Sequence, residues 1–453
     1  MFKKVLVANR GEIALRVIRA CKELDIETVA VYSDIDSLSL HTKFADEAIC
    51  IGPANSSKSY LNIPAIISAA ELTNADAIHP GYGFLSENPD FSEICTDNNL
   101  TFIGPSAEII RTMGNKSEAK KTMKSIGVPV IPGSNGNIKN IDEGIIIADE
   151  IGYPIIIKAA SGGGGRGMRV VNSKDDFELA FNTATSEAKV SFNDDSVYIE
   201  KFFTSPKHIE IQIICDKNNN AYSLLDRECS VQRRHQKIIE ESPSPLLSKE
   251  IRSKMSEMSI MAVKEIGYIG VGTIEYLYDT DTNNFYFMEM NTRIQVEHPV
   301  TEMILNYDIV KNQILCHAGL SLPDWLVNIQ PRGHSIECRI NAENPSANFM
   351  PSPGSITSLH LPGGNGVRVD THIYAGYTIP STYDSMIAKI IVHAPSRNEA
   401  IKKMSGVLDE CVIEGVSTTI PFQKKILKDD LFLSGKYTTN FLNTFKYKEN
   451  LDE

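Results

Sequence analysis

The sequence lacks the features that would place the protein in a membrane or along a nucleic acid. No apolar run approaches the length that a bilayer-spanning segment needs. Its 57 acidic residues outnumber its 45 basic ones and give a formal net charge of −12. Nucleic acids and anionic membrane surfaces are bound through clustered Lys and Arg. An anionic substrate would therefore need a local pocket of cations.

Cysteine is sparse and scattered. The eight cysteines lie between Cys21 and Cys411, with no close pair at the spacing of metal ligands, which predicts buried, reduced thiols in a cytoplasmic protein. The N-terminal residues MFKKVLVANRGE form a short apolar strand that enters a turn, so no signal peptide is expected. With 42% hydrophobic and 23% charged residues, the composition is that of a globular protein with about three domains.

The N-terminal part alternates between short apolar strands and helical segments, which predicts a Rossmann-like parallel sheet with helices on both faces. The turn after the first strand, residues 9–12 (NRGE), is not the glycine fingerprint of dinucleotide sites, so no NAD site is inferred. Tyr82 follows the third strand, at the carboxyl end where such sheets carry their sites. The first two predicted strands are residues 5–8 and 28–32, and residues 77–78 and 102–103 end the third and the fourth.

A run of four glycines, residues 162–165, lies between two predicted strands. This placement favours a hairpin-like loop over a linker between domains. Successive backbone N–H groups can approach a polyphosphate closely there because no Cβ atom intervenes, and Lys158 and Arg166 add positive charge. No Gly-Lys-Ser/Thr follows the run, which excludes a Walker A loop.

The clearest chemistry lies in residues 285–301 (FYFMEMNTRIQVEHPVT), which open as a strand with aromatic residues. A polar face on a half-buried strand is usually only solvated. Here hard oxygen ligands are followed by a cation, which favours a functional site. As far as the backbone stays extended, alternation places these polar residues on one face: Glu289, Asn291, Arg293, Gln295 and Glu297.

Glu275 lies inside the apolar segment 270–278, where a buried carboxylate is costly unless it is paired or binds a metal. A short turn at residues 281–284 predicts an antiparallel hairpin with the next strand. Glu275, Glu289 and Asn291 would then offer the oxygen ligands that Mg²⁺ bound to nucleotide phosphates usually receives.

Residues 226–237 (DRECSVQRRHQK) are dense in cations. In an acidic chain this segment is too short for a nucleic-acid surface and fits a pocket for small anions. His208 alternates with isoleucines in residues 207–214 (KHIEIQII), which a half-exposed strand explains equally well.

Six motifs, in this order along the chain, resemble biotin carboxylase, an ATP-grasp enzyme of the biotin-dependent carboxylases. The likeness runs to about residue 445. The glycine loop alone could belong to any ATP-grasp ligase, whereas residues 232–237 and 289–298 together are highly specific. One departure is that Ala160 and Ser161 precede only four consecutive glycines, where a longer run is expected. The motifs are residues 8–14 (ANRGEIA), 79–88 (HPGYGFLSEN), 158–168 (KAASGGGGRGM), 232–237 (QRRHQK), 289–298 (EMNTRIQVEH) and 332–341 (RGHSIECRIN).

The resemblance implies an α/β and α+β fold with three domains. A Rossmann-like N-terminal domain would occupy residues 1–115, and a central ATP-grasp domain residues 116–330, with a mobile lid at about 131–203. A biotin carboxylase C-terminal domain would occupy residues 331–447, followed by a tail at 448–453. The reaction would be ATP-dependent carboxylation of biotin by bicarbonate through carboxyphosphate.

The resemblance also implies roles for individual residues. Bicarbonate would be held by Lys237, Arg293, Gln295, the Val296 backbone and Glu297, with Glu297 as the base. Arg339 would stabilise the biotin enolate, with Tyr82 near the ureido ring. Two Mg²⁺ or Mn²⁺ ions would be held by Glu275, Glu289 and Asn291. The residues at ATP would be Lys116, Lys158, Gly164, Gly165, Glu200, Lys201, Phe202, Phe203, His208, Gln232, His235, Glu275 and Glu289.

The sequence contains no Ala-Met-Lys-Met biotin-attachment motif. The resemblance therefore implies that a separate biotin carboxyl carrier protein brings the biotin and that a separate carboxyltransferase receives the carboxyl group. It further implies a cytoplasmic homodimer. The final acceptor stays open between acetyl-CoA, which we expect, and propionyl-CoA or pyruvate.

Two other functions compete with this prediction. Another ATP-grasp ligase, acting on an amino acid, a peptide or a purine carboxylate, would share the glycine loop and the metal carboxylates. Bicarbonate-dependent ATP cleavage stimulated by free biotin separates the two. A non-catalytic ATP-binding protein of a regulatory or scaffold kind would be favoured by loss of a metal carboxylate, of Lys237 or of Glu297, and all of these are present.

Overall fold

A computed structural model describes residues 1–160, 167–192 and 194–447. The chain divides into two compact units. We call them the main unit, which contains Met1–Ala119, Lys207–Tyr276 and the described residues from Glu289 onward, and the inserted unit, which contains Lys120–Pro206 and Leu277–Met288.

The main unit opens with the predicted parallel sheet. Its strands are β1 Lys4–Val7, β2 Glu27–Ser33, β3 Glu47–Gly52, β4 Ala77–His79 and β5 Thr101–Phe102, and its helices are α1 Gly11–Lys22, α2 Leu40–Phe44, α3 Ile63–Thr73, α4 Pro89–Asp97 and α5 Ala107–Gly114. The strand order is β3-β2-β1-β4-β5, with all neighbours parallel. Val5 and Val7 of β1 enter one hydrophobic cluster and Leu6 enters another, so both faces are buried. Strand β3 was not predicted, because only one of its six residues is buried and little apolar periodicity marks them.

The next elements are α6 Lys116–Ile126, α7 Ile141–Ile151, β6 Ile155–Ala159, β7 Met168–Val171, α8 Phe177–Phe192 and β8 Val197–Lys201. Within the inserted unit, β7, β6 and β8 form an antiparallel sheet in that order. Alternate residues of β6, Ile155 and Ile157, pack with Phe177 of α8 in one buried cluster. The strands on both sides of the glycine run therefore pair as predicted.

A second region follows with β9 Lys207–Cys215, β10 Ala221–Arg233, β11 Gln236–Ser242, α9 Lys249–Glu265, β12 Gly270–Asp279, β13 Asn284–Asn291, α10 His298–Leu305 and α11 Ile309–His317. The last region has strands β14 His334–Asn341, β15 Glu343–Asn344, β16 Met350–Pro351, β17 Gly354–Ser355, β18 Ser358–His360, β19 Val367–Thr371, β20 Thr378–Ile379, β21 Met386–Ala394 and β22 Val412–Glu414, and helices α12 Arg397–Glu410, α13 Ile420–Ile426, α14 Asp430–Ser434 and α15 Phe441–Thr444.

One sheet of eight strands joins these two regions, in the order β13-β12-β9-β10-β11-β14-β21-β19. The strands β11 and β14 pair antiparallel, with Glu240 opposite Glu337. The hairpin predicted around residues 281–284 is present as the neighbouring strands β12 and β13. Polar residues far apart in sequence are thereby brought to adjacent strands.

All eight cysteines are free, as the scattered spacing predicted. Seven of them are buried as expected, whereas Cys50 is exposed. Within the described parts of the chain, none of the helices combines the length and apolar character that crossing a bilayer requires.

Candidate active site

Lys237 of β11 lies among three buried carboxylates. Its Nζ is 3.0 Å from Glu275 Oε1 of β12 and 2.8 Å from Glu297 Oε1, and it also contacts Glu210 of β9. Burial opposes the charge on the ammonium, but the three carboxylates outweigh burial and raise the pKa of Lys237. The cation at the centre of the site is therefore permanent at ordinary pH.

Glu210 is held from its other side by Arg227 of β10. The Nε and Nη2 atoms of Arg227 donate to Glu210 Oε2 at 3.0 and 2.9 Å, and both side chains are fully buried. Burial raises the pKa of Glu210, but Lys237 and Arg227 more than offset burial and the pKa is lowered. Neither residue was assigned a role from the sequence. The signal was available, because a carboxylate inside an apolar strand is the pattern that singled out Glu275.

Glu275 connects the predicted metal ligands to Lys237, because it contacts both Asn291 and the Lys237 ammonium. Asn291 Nδ2 donates to Glu275 Oε1 at 2.8 Å and Gln295 Nε2 donates to the same oxygen at 3.3 Å. His208 Nε2 lies 3.0 Å from Glu275 Oε2. Burial lowers the pKa of His208, but Glu275 and Glu210 outweigh burial and raise it to about 9. The imidazole is thus a second cation beside Glu275 at neutral pH.

The donors around β12 and β13 fit a hard divalent cation. Glu289 lies two residues before Asn291 on β13, so the two side chains leave the same side of the strand. The Glu289 carboxylate is 3.4 Å from the Lys116 ammonium. Carboxylate and amide oxygens suit Mg²⁺ or Mn²⁺, which keep water and phosphate as further ligands. The alternative group of His208, Glu210 and Glu275 has ligand atoms within 4.8 Å of one another, but Lys237, Arg227 and the protonated His208 already pair with its two carboxylates.

The extended backbone expected through Gln295 ends at Asn291, so the expectation of one continuous polar face is wrong beyond that residue. Thr292 N–H donates to Glu87 Oε1 at 3.0 Å rather than to a neighbouring strand. Helix α10 then begins at His298, with Pro299 in its first turn and Glu297 immediately before it. Proline presets the φ angle for a helix start. Residues 293–297 therefore reach the site from a loop.

Arg293 nevertheless joins the network. Its guanidinium donates to Glu87 Oε2 at 2.8 Å, to Gln295 Oε1 at 2.9 Å and to Asn291 Oδ1 at 3.0 Å. Burial lowers the pKa of Arg293, but Glu87 and the nearby carboxylates raise it. Glu87 lies in the motif at residues 79–88, yet no role was assigned to it from the sequence.

Glu297 bridges two cations on adjacent strands. Its Oε1 faces Lys237 of β11, and its Oε2 accepts a hydrogen bond from Arg339 Nη2 of β14 at 2.9 Å. Burial and the Glu210 carboxylate disfavour its ionised form. Lys237, Arg339 and Arg227 outweigh these two effects and lower the pKa of Glu297. A buried carboxylate is thus kept ionised beside two cations.

Tyr82 and Val296 are fixed by two further buried groups. Tyr82 donates to Glu12, while Lys389 Nζ of β21 lies 3.0 Å from Glu12 Oε1 and donates to the Val296 carbonyl at 2.7 Å. Gly81 precedes Tyr82 at φ +62°, and a Cβ there would lie 2.9 Å from the Asn9 side-chain nitrogen. The Tyr82 loop therefore requires glycine at this position.

In the inserted unit, the candidate nucleotide residues contact one another or the backbone. Lys158 Nζ donates to Glu200 Oε2 at 2.6 Å. Lys201 Nζ donates to the carbonyls of residues 152 and 153 at 2.9 and 3.1 Å. The ring of Phe203 packs against Tyr286 with centroids 5.1 Å apart. Phe202 follows β8, and its N–H donates to the Pro154 carbonyl. Gly164 and Gly165 lie outside the described residues.

Three family models match successive parts of the chain. They are the biotin carboxylase N-terminal domain at residues 1–110, the carbamoyl-phosphate synthase L chain ATP-binding domain at 115–325, and the biotin carboxylase C-terminal domain at 337–444. Biotin carboxylase 1 of Bacillus subtilis is 54% identical over 445 residues, covering 98% of this chain and 99% of that protein. The chain belongs to the biotin carboxylase family.

Other relatives of this biotin carboxylase family member are named as parts of different carboxylases. A pyruvate carboxylase subunit of Methanothermobacter thermautotrophicus is 51% identical over 452 residues, covering 100% of this chain and 91% of that protein. The biotin carboxylase of Campylobacter jejuni, solved as a βγ-ATP complex, superposes with a TM-score of 0.91 at 50% identity, covering 98% and 99% of the two chains. The biotin carboxylase domain of Hydrogenobacter thermophilus 2-oxoglutarate carboxylase, solved with MgADP, ADP and bicarbonate, gives 0.90 at 49%, covering 99% and 100%.

As a biotin carboxylase, the chain is an enzyme, an ATP-dependent ligase. The structure joins seven predicted residues in one network: Lys237, Glu275, Asn291, Arg293, Gln295, Glu297 and Arg339. His208 and Gln232 extend this network through a 2.7 Å contact. His235 instead lies in an exposed turn, and Arg233 turns away to Glu343. The cation-rich segment at 226–237 is therefore not one anion pocket, because successive strand residues face opposite sides.

Proposed function

We propose that this enzyme uses ATP and bicarbonate to carboxylate biotin on a carrier protein, through carboxyphosphate, as the first half-reaction of a multi-component acetyl-CoA carboxylase. The observation that carries the proposal is the position of Glu297, a buried carboxylate in contact with both Lys237 and Arg339. A base that lies between two cations suits the activation of a small anion.

Charge repulsion is the first obstacle to this reaction, since bicarbonate and ATP are both anions. Lys237 and Arg293 would offset that repulsion at the bicarbonate. Gln295 and the Val296 backbone would orient it. The existing hydrogen bonds of Arg293 to Gln295 and Asn291 hold the guanidinium in one place, so little reorganisation is needed when the substrate binds.

Glu297 would take the bicarbonate proton. Its lowered pKa keeps it ionised and ready to accept a proton. When Lys237 and Arg339 turn to the substrates, their hold on Glu297 weakens and its proton affinity rises. The deprotonated bicarbonate oxygen then attacks the γ-phosphorus of ATP, and the bond to ADP breaks.

ATP would be bound by Lys116, Lys158, His208, Gln232, His235 and residues 200–203, with the loop of Gly164 and Gly165 over its phosphates. Glu275, Glu289 and Asn291 would hold Mg²⁺ or Mn²⁺, which would supply positive charge against the phosphates of ATP. The Campylobacter jejuni and Hydrogenobacter thermophilus structures, solved with βγ-ATP and with MgADP and bicarbonate, support these ligands.

Carboxyphosphate would break down to CO₂ and phosphate, and the phosphate would take the proton from biotin N1′. Arg339 would offset the negative charge that develops on the ureido oxygen, with Tyr82 beside the ring. Because carboxyphosphate is labile to water, a lid at about residues 131–203 would close over the site. We propose three domains with the bounds expected from the sequence, at residues 1–115, 116–330 and 331–447.

The assembly would be a cytoplasmic homodimer that works with a separate biotin carboxyl carrier protein and a separate carboxyltransferase. A second candidate acceptor is pyruvate, which is favoured by the 51% identity to the Methanothermobacter pyruvate carboxylase component. The two acceptors are distinguished by purifying the enzyme from its source cells and identifying the biotinylated protein and transferase that accompany it.

The activity is tested by measuring ADP release with and without bicarbonate and with and without free biotin. The proposal expects bicarbonate-dependent ATP cleavage that biotin stimulates, with carboxybiotin as product. ATP cleavage stimulated by an amino acid or a purine carboxylate instead would identify a different ATP-grasp ligase. No ATP cleavage under any of these conditions, with ATP still bound, would identify a non-catalytic ATP-binding protein.

A further inference from the structure

We infer that Glu240 is a positioning residue that shares the Arg339 guanidinium with Glu297, and that Glu337 beside it is carried as a neutral carboxylic acid. This inference rests on the proposed function, because it assigns Glu240 the task of keeping Arg339 available to biotin and Glu297 able to accept a proton. Neither Glu240 nor Glu337 was assigned a role from the sequence.

The guanidinium of Arg339 is divided between two carboxylates. Its Nε donates to Glu240 Oε1 at 2.5 Å, while Nη2 donates to Glu297 Oε2 at 2.9 Å and also contacts Glu240. Glu240 is fully buried, so the contact is charge-assisted and little weakened by solvent. Glu240 therefore holds the Nε edge of Arg339 and competes with Glu297 for Nη2.

Glu337 stands directly opposite Glu240, in the register of β11 and β14. Both side chains are fully buried. Neither oxygen of Glu337, nor Glu240 Oε2, accepts a hydrogen bond from the described residues. Two ionised carboxylates facing each other across a strand pair, both buried and with three of their four oxygens accepting no hydrogen bond from the described residues, would be strongly unfavourable. The pair must therefore keep a proton.

The partners decide which carboxyl group carries that proton. Glu240 has the Arg339 guanidinium in direct contact. Glu337 has no ion-pair partner among the described residues, and Lys389, the nearest cation on the next strand, donates instead to the Val296 carbonyl and contacts Glu12. Burial raises the pKa of both acids, to about 7 for Glu240, where Arg339 offsets burial, and well above its ordinary value for Glu337, which agrees with Glu337 as the neutral acid of the pair.

Other charged and titratable groups surround this pair from several elements. The influence of Glu240 on Glu297 is therefore one of several, and only a comparison of matched variants isolates it. Facing Glu240 or Glu337 are Lys237 of β11, Cys229 of β10, Cys338 and Arg339 of β14, Lys389 of β21, Tyr82 of the loop after β4, and Glu297.

Removing the charge of Glu240 would release Arg339 toward Glu297. Glu297 would then face an undivided guanidinium and lose a neighbouring negative charge, so its proton affinity would fall. Arg339 would also turn away from the ureido oxygen of biotin. Both effects are measurable, and a purely structural contact would produce neither of them.

The test compares Glu240→Gln with Glu337→Gln, two isosteric changes on paired strands. For Glu240→Gln, we expect the acid limb of the pH profile of bicarbonate-dependent ATP cleavage to move to lower pH. We also expect carboxybiotin formed per ATP cleaved to fall about tenfold, the size of one charge-assisted hydrogen bond. For Glu337→Gln, both quantities should stay within about twofold of wild type, because an amide and a neutral acid carry the same charge.

Three outcomes would overturn the inference. An unmoved pH profile with an unchanged ratio in Glu240→Gln would make Glu240 merely structural. A shift in Glu337→Gln as large as that in Glu240→Gln would show that Glu337 carries charge. If Glu240→Gln does not fold, Glu240→Asp keeps the charge but withdraws it by one methylene, and a profile identical to wild type would again contradict the inference. Failure of the proposed function is distinct, since wild type itself would then show no biotin-stimulated ATP cleavage.

Discussion

At the scale of single residues, the site is governed by how its cations are shared. Lys237 is divided among three carboxylates, and Arg339 between two. A buried carboxylate costs free energy unless such partners are present, so each of these carboxylates depends on a cation that it shares with another. When a substrate anion draws Lys237 or Arg339 away from a carboxylate, the proton affinity of that carboxylate must therefore change.

Replacing the base should separate chemistry from binding. We expect Glu297→Gln to reduce bicarbonate-dependent ATP cleavage by about 10²–10⁴-fold, the range of general base catalysis, with ATP affinity nearly unchanged. The measurements are steady-state ADP release and equilibrium nucleotide binding. Glu257→Gln, an exposed change on α9, is the control. If ATP affinity collapsed while turnover per bound ATP survived, the base would lie elsewhere.

Removal of the guanidinium should affect the two half-steps unequally. In Arg339→Ala, biotin carboxylation should fall by about 10²-fold more than bicarbonate-dependent ATP cleavage, because only the former develops charge on the ureido oxygen. The two rates are measured side by side as carboxybiotin and ADP. Equal losses in both would count against a role at the enolate. Arg339→Lys should recover part of the carboxylation, since it restores the charge without the planar fork.

At the scale of elements, the turn between β10 and β11 sets which side chains enter the site. Arg233 pairs with Gln236, and the two residues between them, Arg234 and His235, both have positive φ, at 50° and 65°. A two-residue loop of this kind is a type I′ turn, which normally contains Asn and Gly. The turn fixes the register that directs Gln232 and Lys237 into the site.

The strained turn offers a test of the nucleotide assignment. Arg234→Asn and His235→Asn should each stabilise the protein by about 1 kcal/mol, because Asn tolerates the left-handed region better than Arg or His. Only His235→Asn should weaken ATP binding, by about tenfold if one hydrogen bond is lost. Chemical denaturation and nucleotide titration measure the two effects. Equal ATP affinities in both variants would remove His235 from the ATP site.

At the scale of the whole molecule, one sheet carries most of the charged groups of the site, while Arg293, Glu297 and Glu87 come from loops. Glu275, Glu210, Arg227, Lys237 and Arg339 come from five strands that are consecutive in space, β12-β9-β10-β11-β14. The same sheet continues into the C-terminal region, where Glu241 of β11 binds His334 at 2.5 Å, Arg397 at 2.7 and 2.9 Å, and Tyr437. Glu241 therefore joins the sheet to C-terminal segments outside the active site.

Glu241 should control stability toward acid. Burial raises its pKa, but His334 and Arg397 outweigh burial and lower the pKa below the ordinary 4.5. A depressed folded-state pKa contributes stability that is present above about pH 4.5 and is lost progressively below it. Glu241→Gln should therefore reduce the free energy of unfolding by about 3 kcal/mol at neutral pH. As the pH is lowered, the stability of this variant should fall less than that of the wild type, because the titrating carboxylate is absent.

Denaturant unfolding at neutral and acidic pH measures both effects. The matched control is Glu410→Gln, whose partner His360 is exposed and 3.2 Å away, where a change of about 0.5 kcal/mol or less is expected. If the two variants lost the same stability, Glu241 would not be the link between the sheet and the C-terminal segments.

Motifs and local periodicity in the sequence determined much of this protein. They were sufficient for the parallel N-terminal sheet and the β12–β13 hairpin, and they singled out Glu275, Glu289 and Glu297 as candidate site residues, because each lies in a pattern of a few residues. The family resemblance supplied the reaction. The prediction from strand alternation failed after Asn291, since the Thr292 N–H binds Glu87 and a helix with Pro299 in its first turn follows.

Only the tertiary structure decided which charges meet. Glu87 reaches Arg293 across 206 positions, and Glu240 reaches Arg339 across 99. No local pattern encodes such distances, and a charged residue on a strand has the same sequence signature whether it faces water or a buried partner. The physical reason is that burial makes each pairing strong, and burial is a property of the assembled sheet.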